Sequence, residues 1–298
     1  MKREINIAIQ GKTIGEIMLF REMANLFNAP GRGTYVEEVH GNKGRVEYKS
    51  IIASSTVTVE LGDLLFFTFD KYSRELRICT MQVKYKDKRF KKFLHFRANI
   101  YQWELLYTKP TITNKGNNFP PHILNFRADY DSITAYGIFY HDIYNHDIDF
   151  LYTVPYFIEP VHRPRHPLKN PYRTYQFNCP KGLSGSESCF SGINAQEAFS
   201  ICSIDIFEDQ VLQGKVGAPI NDDKNMLEWV LNLFVRMKEQ ADHPEVIEEI
   251  LRAYEFTSRG INSVNSKDFE TFPAAMIVVT DSREYGEYHR QFSFDREM

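Results

Sequence analysis

Two apolar runs, Leu64–Phe69 and Leu76–Val83, flank the polar turn Asp70-Lys71-Tyr72-Ser73-Arg74. Runs of this length, bounded by turn residues, predict two strands joined as a hairpin. The first strand opens on Gly62-Asp63 and the second closes on Gln82-Val83-Lys84. Side chains alternate along a strand, so Gln82 and Lys84 point one way and Val83 points into the opposite layer. A carboxylate, an amide oxygen and an ammonium can then converge on one spot, beside the Val83 backbone.

That set has a chemical use. Magnesium prefers oxygen ligands and keeps several waters, so a carboxylate, a side-chain carbonyl and a backbone carbonyl suffice to seat it beside a phosphate. A neighbouring lysine supplies a point charge for the attacking water and for charge growing on the phosphorane. Asp63, an intervening turn and then Gln82-x-Lys84 resembles the PD-(D/E)xK nuclease superfamily. The variant is the one, used by the Mrr-like branch, in which glutamine replaces the last acid. The resemblance covers roughly the first half of the chain.

The resemblance implies an α/β chain with a mixed sheet in a restriction-endonuclease-like core. It implies an endonuclease dependent on Mg2+ or Mn2+ and acting on DNA, with RNA left open. The metal would rest on Asp63, Gln82 and the Val83 carbonyl, Lys84 would position the water, and Glu16 would assist. No proline precedes Asp63, and Gln82 stands where an acid is usual, which implies weaker metal affinity or activity that needs a partner. A role in host defence rests on analogy alone.

Other readings compete. Gly62-Asp63 is a common turn pair, and a lysine two residues after a glutamine suits a solvated strand face. Glu60, three residues before Asp63, is an alternative metal ligand. A fold retained for binding or assembly without cutting is the main rival, and a site in the Tyr/His/Asp-rich region 132–158 is another.

Residues 13–28 predict a helix, with Thr13 and Glu16 matching a capping box and Pro30-Gly31 as the stop. Steps of about 100° gather Ile17, Leu19, Phe20, Met23, Ala24, Leu26 and Phe27 on one face, with Glu16 near its centre. A carboxylate amid apolar residues needs a partner. Glu16 either bends back to its own N-cap or points to the metal site.

After Lys84 comes the most biased stretch of the chain. Lys84, Lys86, Lys88, Arg89, Lys91, Lys92 and Arg97 stand against one acid, Asp87, with Tyr85, Phe90, Phe93 and Phe96 interleaved. In a chain of net charge −3 any attraction for nucleic acid must be local. Lys86, Lys88, Arg89, Lys91 and Lys92 are therefore the candidate track for a DNA backbone, against the plainer reading of a solvated basic loop.

The remaining elements are read more coarsely. Val46–Ala53 predicts the first strand of the sheet, and Ala98–Thr108 a short helix with Gln102 and Glu104 on its surface. That helix would cross over to a strand at Ile133–Tyr140. Residues 160–171 form a proline-rich basic connector, dividing a nuclease core at 1–158 from a β-rich accessory region at 172–298, the two being alternatively one elaborated domain. Helices broken near His243-Pro244 and a buried strand at Ala274–Thr280 complete the chain. The accessory region would serve substrate, partner or oligomer contacts, with a homo-oligomer or a protein partner left open.

Composition bounds the rest. Hydrophobic residues at 43% suit a globular chain without disorder. No apolar run approaches a membrane span and the first residues lack a secretory signal, so the expectation is a cytoplasmic protein. The four cysteines include no Cys-x-x-Cys pair, which argues against a disulfide framework or zinc ribbon. His162, His166, Cys179 and Cys189 make only an irregular zinc set.

Overall fold

The computed structural model describes residues 1–28, 35–39, 45–86, 95–114, 130–141, 146–161, 170–177, 200–201, 203–255 and 274–281. The elements run α1 (Lys2–Ala8), α2 (Glu16–Phe27), β1 (Tyr35–Val39), β2 (Arg45–Ser50), β3 (Ser55–Glu60), β4 (Leu64–Asp70), β5 (Glu75–Lys86) and β6 (His95–Asn99). They continue with α3 (Ile100–Thr108), β7 (Thr113–Asn114), β8 (Thr134–His141), β9 (Ile148–Thr153), β10 (Ile158–Pro160), β11 (Tyr172–Phe177) and β12 (Ser200–Ile201). Last come α4 (Ile204–Leu212), β13 (Ala218–Pro219), α5 (Lys224–Met237), α6 (Pro244–Ala253) and β14 (Ala274–Thr280).

The expected hairpin is β4 and β5, paired antiparallel from Leu64↔Met81 to Asp70↔Glu75. Its turn closes because the Asp70 carboxylate accepts from the Ser73 N–H at 3.1 Å and the Ser73 hydroxyl at 2.6 Å. Around this hairpin an eight-stranded sheet is built in the order β1-β14-β4-β5-β8-β9-β12, with β13 also pairing β5. β14 is parallel to β4 and β8 is parallel to β5, while the pairs β1–β14, β4–β5, β8–β9 and β9–β12 are antiparallel. The protein is thus α+β, with a mixed sheet and six helices among the described residues. The parallel step from β5 to β8 passes through α3, the crossover that a parallel pair requires.

Both faces of the sheet are covered, which is why β4 reads LLFFTFD without alternation and is buried at every position. On one face Leu64, Phe66, Cys79, Met81 and Val83 pack with α1, α2 and α4 through Leu19, Phe20, Met23 and Phe207. On the other face Leu65, Phe67, Leu76 and Ile78 meet Trp229, Phe234 and Ile250 of α5 and α6. A smaller sheet, β10-β11-β6, lies over β8 and β9, joining Phe96 and Tyr175 to Tyr136, Ile138 and Leu151.

Several expectations are corrected. The strand expected at Val46–Ala53 ends at Ser50 and belongs to a separate sheet, β3-β2-β7. It stops there because Glu104 of α3 takes the next two N–H groups, Ile51 at 2.7 Å and Ile52 at 3.0 Å, together with the Ser50 hydroxyl at 2.5 Å. Glu104 and Gln102, expected on the surface, are 2% and 8% exposed. Helix α2 is capped by Gly15, and the Thr13 capping box does not form. Beyond residue 172 the described residues hold more helix than strand, in α4, α5 and α6, where a β-rich region was expected. β12, β13 and β14 join the same sheet as β1, β4, β5, β8 and β9. No helix among the described residues is long and apolar enough to cross a membrane.

Candidate active site

The site arises from a mismatch in strand length. β5 has 12 residues and β4 has 7. β4 pairs with Glu75–Met81 of β5, while β8 pairs with Thr80–Lys86, so Gln82–Lys86 run past the end of β4 and, among the described residues, have one edge open. Backbone N–H groups on such an edge need acceptors. The Val83 N–H donates to Asp63 Oδ2 at 2.9 Å, and the Tyr85 N–H donates to Glu16 Oε1 at 2.9 Å. Two carboxylates thus stand where a neighbouring strand would have placed carbonyls.

Each arrives from a different part of the chain. Asp63 lies one residue before β4 and is drawn against β5 by its own N–H, which donates to the Met81 carbonyl at 3.0 Å. Gly62 permits that approach, since a Cβ there would lie 2.9 Å from Thr80 Cγ2 and 3.0 Å from the Met81 carbonyl oxygen. Glu16 is the first residue of α2, whose apolar face of Leu19, Phe20, Met23, Ala24 and Phe27 is buried with Val83 and Met81. Burial of that face delivers the carboxylate to Tyr85. Of the two readings of Glu16, the structure places it beside the Gln82-x-Lys84 strand and not at its own N-cap.

Gln82 and Lys84 leave β5 on the opposite face from α2. Their register neighbours on β8, Tyr136 and Ile138, pack with β6 and β11. Gln82 Nε2 donates to Asp63 Oδ2. Lys84 Nζ donates to the Val83 carbonyl and lies 3.3 Å from Asp63 Oδ2. Asp63, Gln82, Val83, Lys84 and Glu16, the five residues singled out from the sequence, therefore meet at one open strand edge. The Asp63 side chain keeps 30% of its surface and Lys84 keeps 20%.

The electrostatics run in opposing directions. Burial pushes the Asp63 carboxyl above its ordinary value, Lys84 and the Val83 N–H pull it down, and Glu60 pushes it up again. Glu60, the alternative ligand at the end of β3, thus acts on Asp63 through its charge. Behind the pair, Gln82 is 2% exposed and its Oε1 has no hydrogen-bond partner among the described residues. The hydroxyls of Tyr136 and Tyr175 are likewise buried without partners, and the Tyr136 hydroxyl is held far above its ordinary pKa by burial and by the nearby Tyr175 and Asp63. Tyr136 was missed from the sequence, where it is one aromatic among many in an apolar strand.

The donor set suits a hard cation. The Lys84 ammonium already touches the two oxygens, Asp63 Oδ2 and the Val83 carbonyl, on which a metal would rest. The orphaned Gln82 Oε1 adds a third oxygen, because a half-turn of the amide exchanges it with Nε2. Among the described residues no group of three or more His, Cys, Asp or Glu side chains is arranged to hold a metal ion. An ion here would rest on one carboxylate with amide and carbonyl oxygens.

Lys86 ends β5 and is partly exposed, whereas Lys88, Arg89, Lys91 and Lys92 lie outside the described residues, as do His162, His166, Cys179 and Cys189. In the Tyr/His/Asp-rich region, Asp149 is structural: it accepts from Lys2 Nζ at 2.7 Å and from the Ile204 N–H at 2.8 Å. His141 lies at the end of β8 with Nε2 at 3.0 Å from the Tyr85 hydroxyl, flanking the site without entering it. Comparison with family models, with curated proteins and with solved structures finds no match.

Proposed function

We propose that this protein is a metal-dependent nuclease that hydrolyses phosphodiester bonds, with DNA as its substrate. The observation that carries the reading is the convergence of Asp63, Gln82 and Lys84 at the open end of β5, with a buried and unpartnered amide oxygen among them. Asp63, Gln82 Oε1 and the Val83 carbonyl would hold Mg2+ or Mn2+. When bound, such an ion polarises a phosphoryl oxygen and lowers the pKa of a coordinated water.

The chain's own residues supply the rest. Lys84, on a flexible stem and partly exposed, would turn from Asp63 to the attacking water and to the charge that develops on the phosphate. Asp63 would be held ionised by the incoming cation, against the burial that now raises its pKa. Glu16 keeps a second oxygen, Oε2, with no hydrogen bond among the described residues, and so can accept a proton or a water bond at the same edge. Restriction-endonuclease-like topology is proposed with this function, on the mixed sheet and on the placement of these residues.

The test is cleavage of supercoiled plasmid by the purified protein with Mg2+ and with a chelator. Cleavage confined to the Mg2+ reaction, and lost in folded Asp63→Ala, supports the reading. A second reading has its own observation: Asp63 and Glu16 already satisfy the open edge of β5, which would make them a structural cap on a non-cutting fold. Under that reading Asp63→Ala lowers the melting temperature, and Mg2+ changes neither stability nor DNA.

A further inference from the structure

The outward face of the β10-β11-β6 sheet is not used by the site. Alternation along β6 buries Phe96 and Ala98 and turns His95, Arg97 and Asn99 outward. On β11 it buries Tyr175 and Phe177 and turns out Tyr172, Thr174 and Gln176. Register places Arg97 beside Thr174 and Asn99 beside Tyr172, so the outward residues form one patch across two paired strands.

Two features of this patch ask for a ligand. Tyr172 is 53% exposed, on a strand whose other tyrosine is fully buried. The Arg97 guanidinium lies 6.0 Å from the Tyr172 ring centre, and no acid among the described residues pairs with it. Among the described residues the acid placed at the patch is Glu159 of β10, across from Gln176 at the far edge. An exposed aromatic ring with a guanidinium over it suits a stacked base with its phosphate.

The chain ties this patch to the proposed site. β6 follows β5 after residues 87–94, so Lys86 and His95 are separated by about 30 Å at most. That connecting sequence adds Lys88, Arg89, Lys91 and Lys92 against a single acid, Asp87. We propose that the outward face of β6 and β11 is a stacking platform for single-stranded DNA, with Tyr172 under a base and Arg97 on the adjoining phosphate. The inference rests on the nuclease reading for its occupant and narrows the substrate to DNA with a single-stranded segment. A duplex hides its base faces and cannot stack on Tyr172.

The test is fluorescence anisotropy of a labelled 20-mer oligothymidine, and of a 20-base-pair duplex, in chelator so that no cleavage occurs. The expected results are tighter binding of the single strand and a Kd raised at least fivefold by Tyr172→Ala, with recovery in Tyr172→Phe. Arg97→Gln is expected to reduce the salt slope of the single-strand affinity by about 0.7. Wild-type affinity in folded Tyr172→Ala, or equal binding of single strand and duplex, overturns the platform. Cleavage of the same oligonucleotide by wild type and Asp63→Ala is assayed separately in Mg2+. Normal binding by Asp63→Ala with lost cleavage keeps both readings, no cleavage by wild type sinks only the nuclease reading, and unchanged binding in Tyr172→Ala sinks only the platform.

Discussion

Asp63 carries opposite demands. It is packed deeply enough for burial to raise its pKa, yet it faces Lys84 and the Val83 N–H, which favour its charge. A carboxyl whose folded pKa lies above its ordinary value of 3.8 binds its proton more tightly folded than unfolded. Its contribution to stability is therefore greatest at acid pH and is lost as pH rises from the unfolded value through the higher folded one. Asp63→Asn removes the charge and keeps an acceptor for Val83. Its melting temperature is expected to match or exceed wild type at pH 7 to 8, with the difference vanishing below the unfolded carboxylate range of about 3.9. A melt series over that window checks this, and a variant that melts lower at pH 7 than at pH 4 relative to wild type contradicts it. Gln82→Glu works the other way. A second carboxylate beside Asp63 is expected to lower the apo melting temperature and to enlarge the upward shift caused by millimolar Mg2+.

The elements are held in place by carboxylates at two strand ends. Asp63 and Glu16 close the open edge of β5, and Glu104 closes the end of β2. Glu104 Oε2 also lies 2.9 Å from the Tyr48 hydroxyl, whose nearer acceptor is the Tyr101 carbonyl at 2.6 Å. The Ser50 hydroxyl at the end of β2 and the Ile51 and Ile52 N–H groups of the turn after it depend on this single buried side chain of α3. Glu104→Ala is expected to cost about 3 kcal/mol or more, since it strands buried donors. Glu104→Gln should fall between, because its amide nitrogen opposes two of them. Chemical denaturation measures both, and a loss below about 0.5 kcal/mol in Glu104→Ala would remove the staple from this account.

The contrast between Glu104 and Asp63 shows what a sequence carries at this level. The β4–β5 hairpin was readable because turn residues sit between two apolar runs, and alternation alone set Gln82 and Lys84 on a common face. Glu104 looked like surface because its partners, Tyr48, Ser50, Ile51 and Ile52, come from β2 and the turn after it, more than 50 positions earlier. Thr13 matched a capping box by spacing, but docking of the α2 face on β5 starts the helix at Glu16 and gives its carboxylate to Tyr85. Tertiary contacts decided both cases, and periodicity does not report them.

For the whole molecule, the decisive feature is β14. This strand lies between β1 and β4 and is parallel to β4 from Ala274↔Leu64 to Thr280↔Asp70, so the hairpin that bears the site is completed by a strand whose residues lie 210 positions after their partners on β4. The buried character of Ala274–Thr280 was readable, whereas its place beside β4 was not, because pairing over such a separation leaves no local signal. A fragment of residues 1–158 lacks β14, α5 and α6, and exposes Leu65 and Phe67, which they cover. It is expected to show no cooperative thermal transition by circular dichroism, where the full chain shows one. A cooperative melt in the fragment would mean that the first stretch is a domain in its own right.

Lys84 is the decisive residue, because among the described residues its ammonium pairs with Asp63 and the Val83 carbonyl alone, at a partly exposed edge. Cleavage of plasmid DNA in Mg2+ is to be compared between wild type and Lys84→Ala, with melting curves of both. The predicted result is cleavage by wild type, a loss of about 100-fold or more in the variant, and a nearly unchanged melting temperature. Equal rates in the two folded proteins, or no cleavage by wild type in Mg2+ or Mn2+, would contradict it.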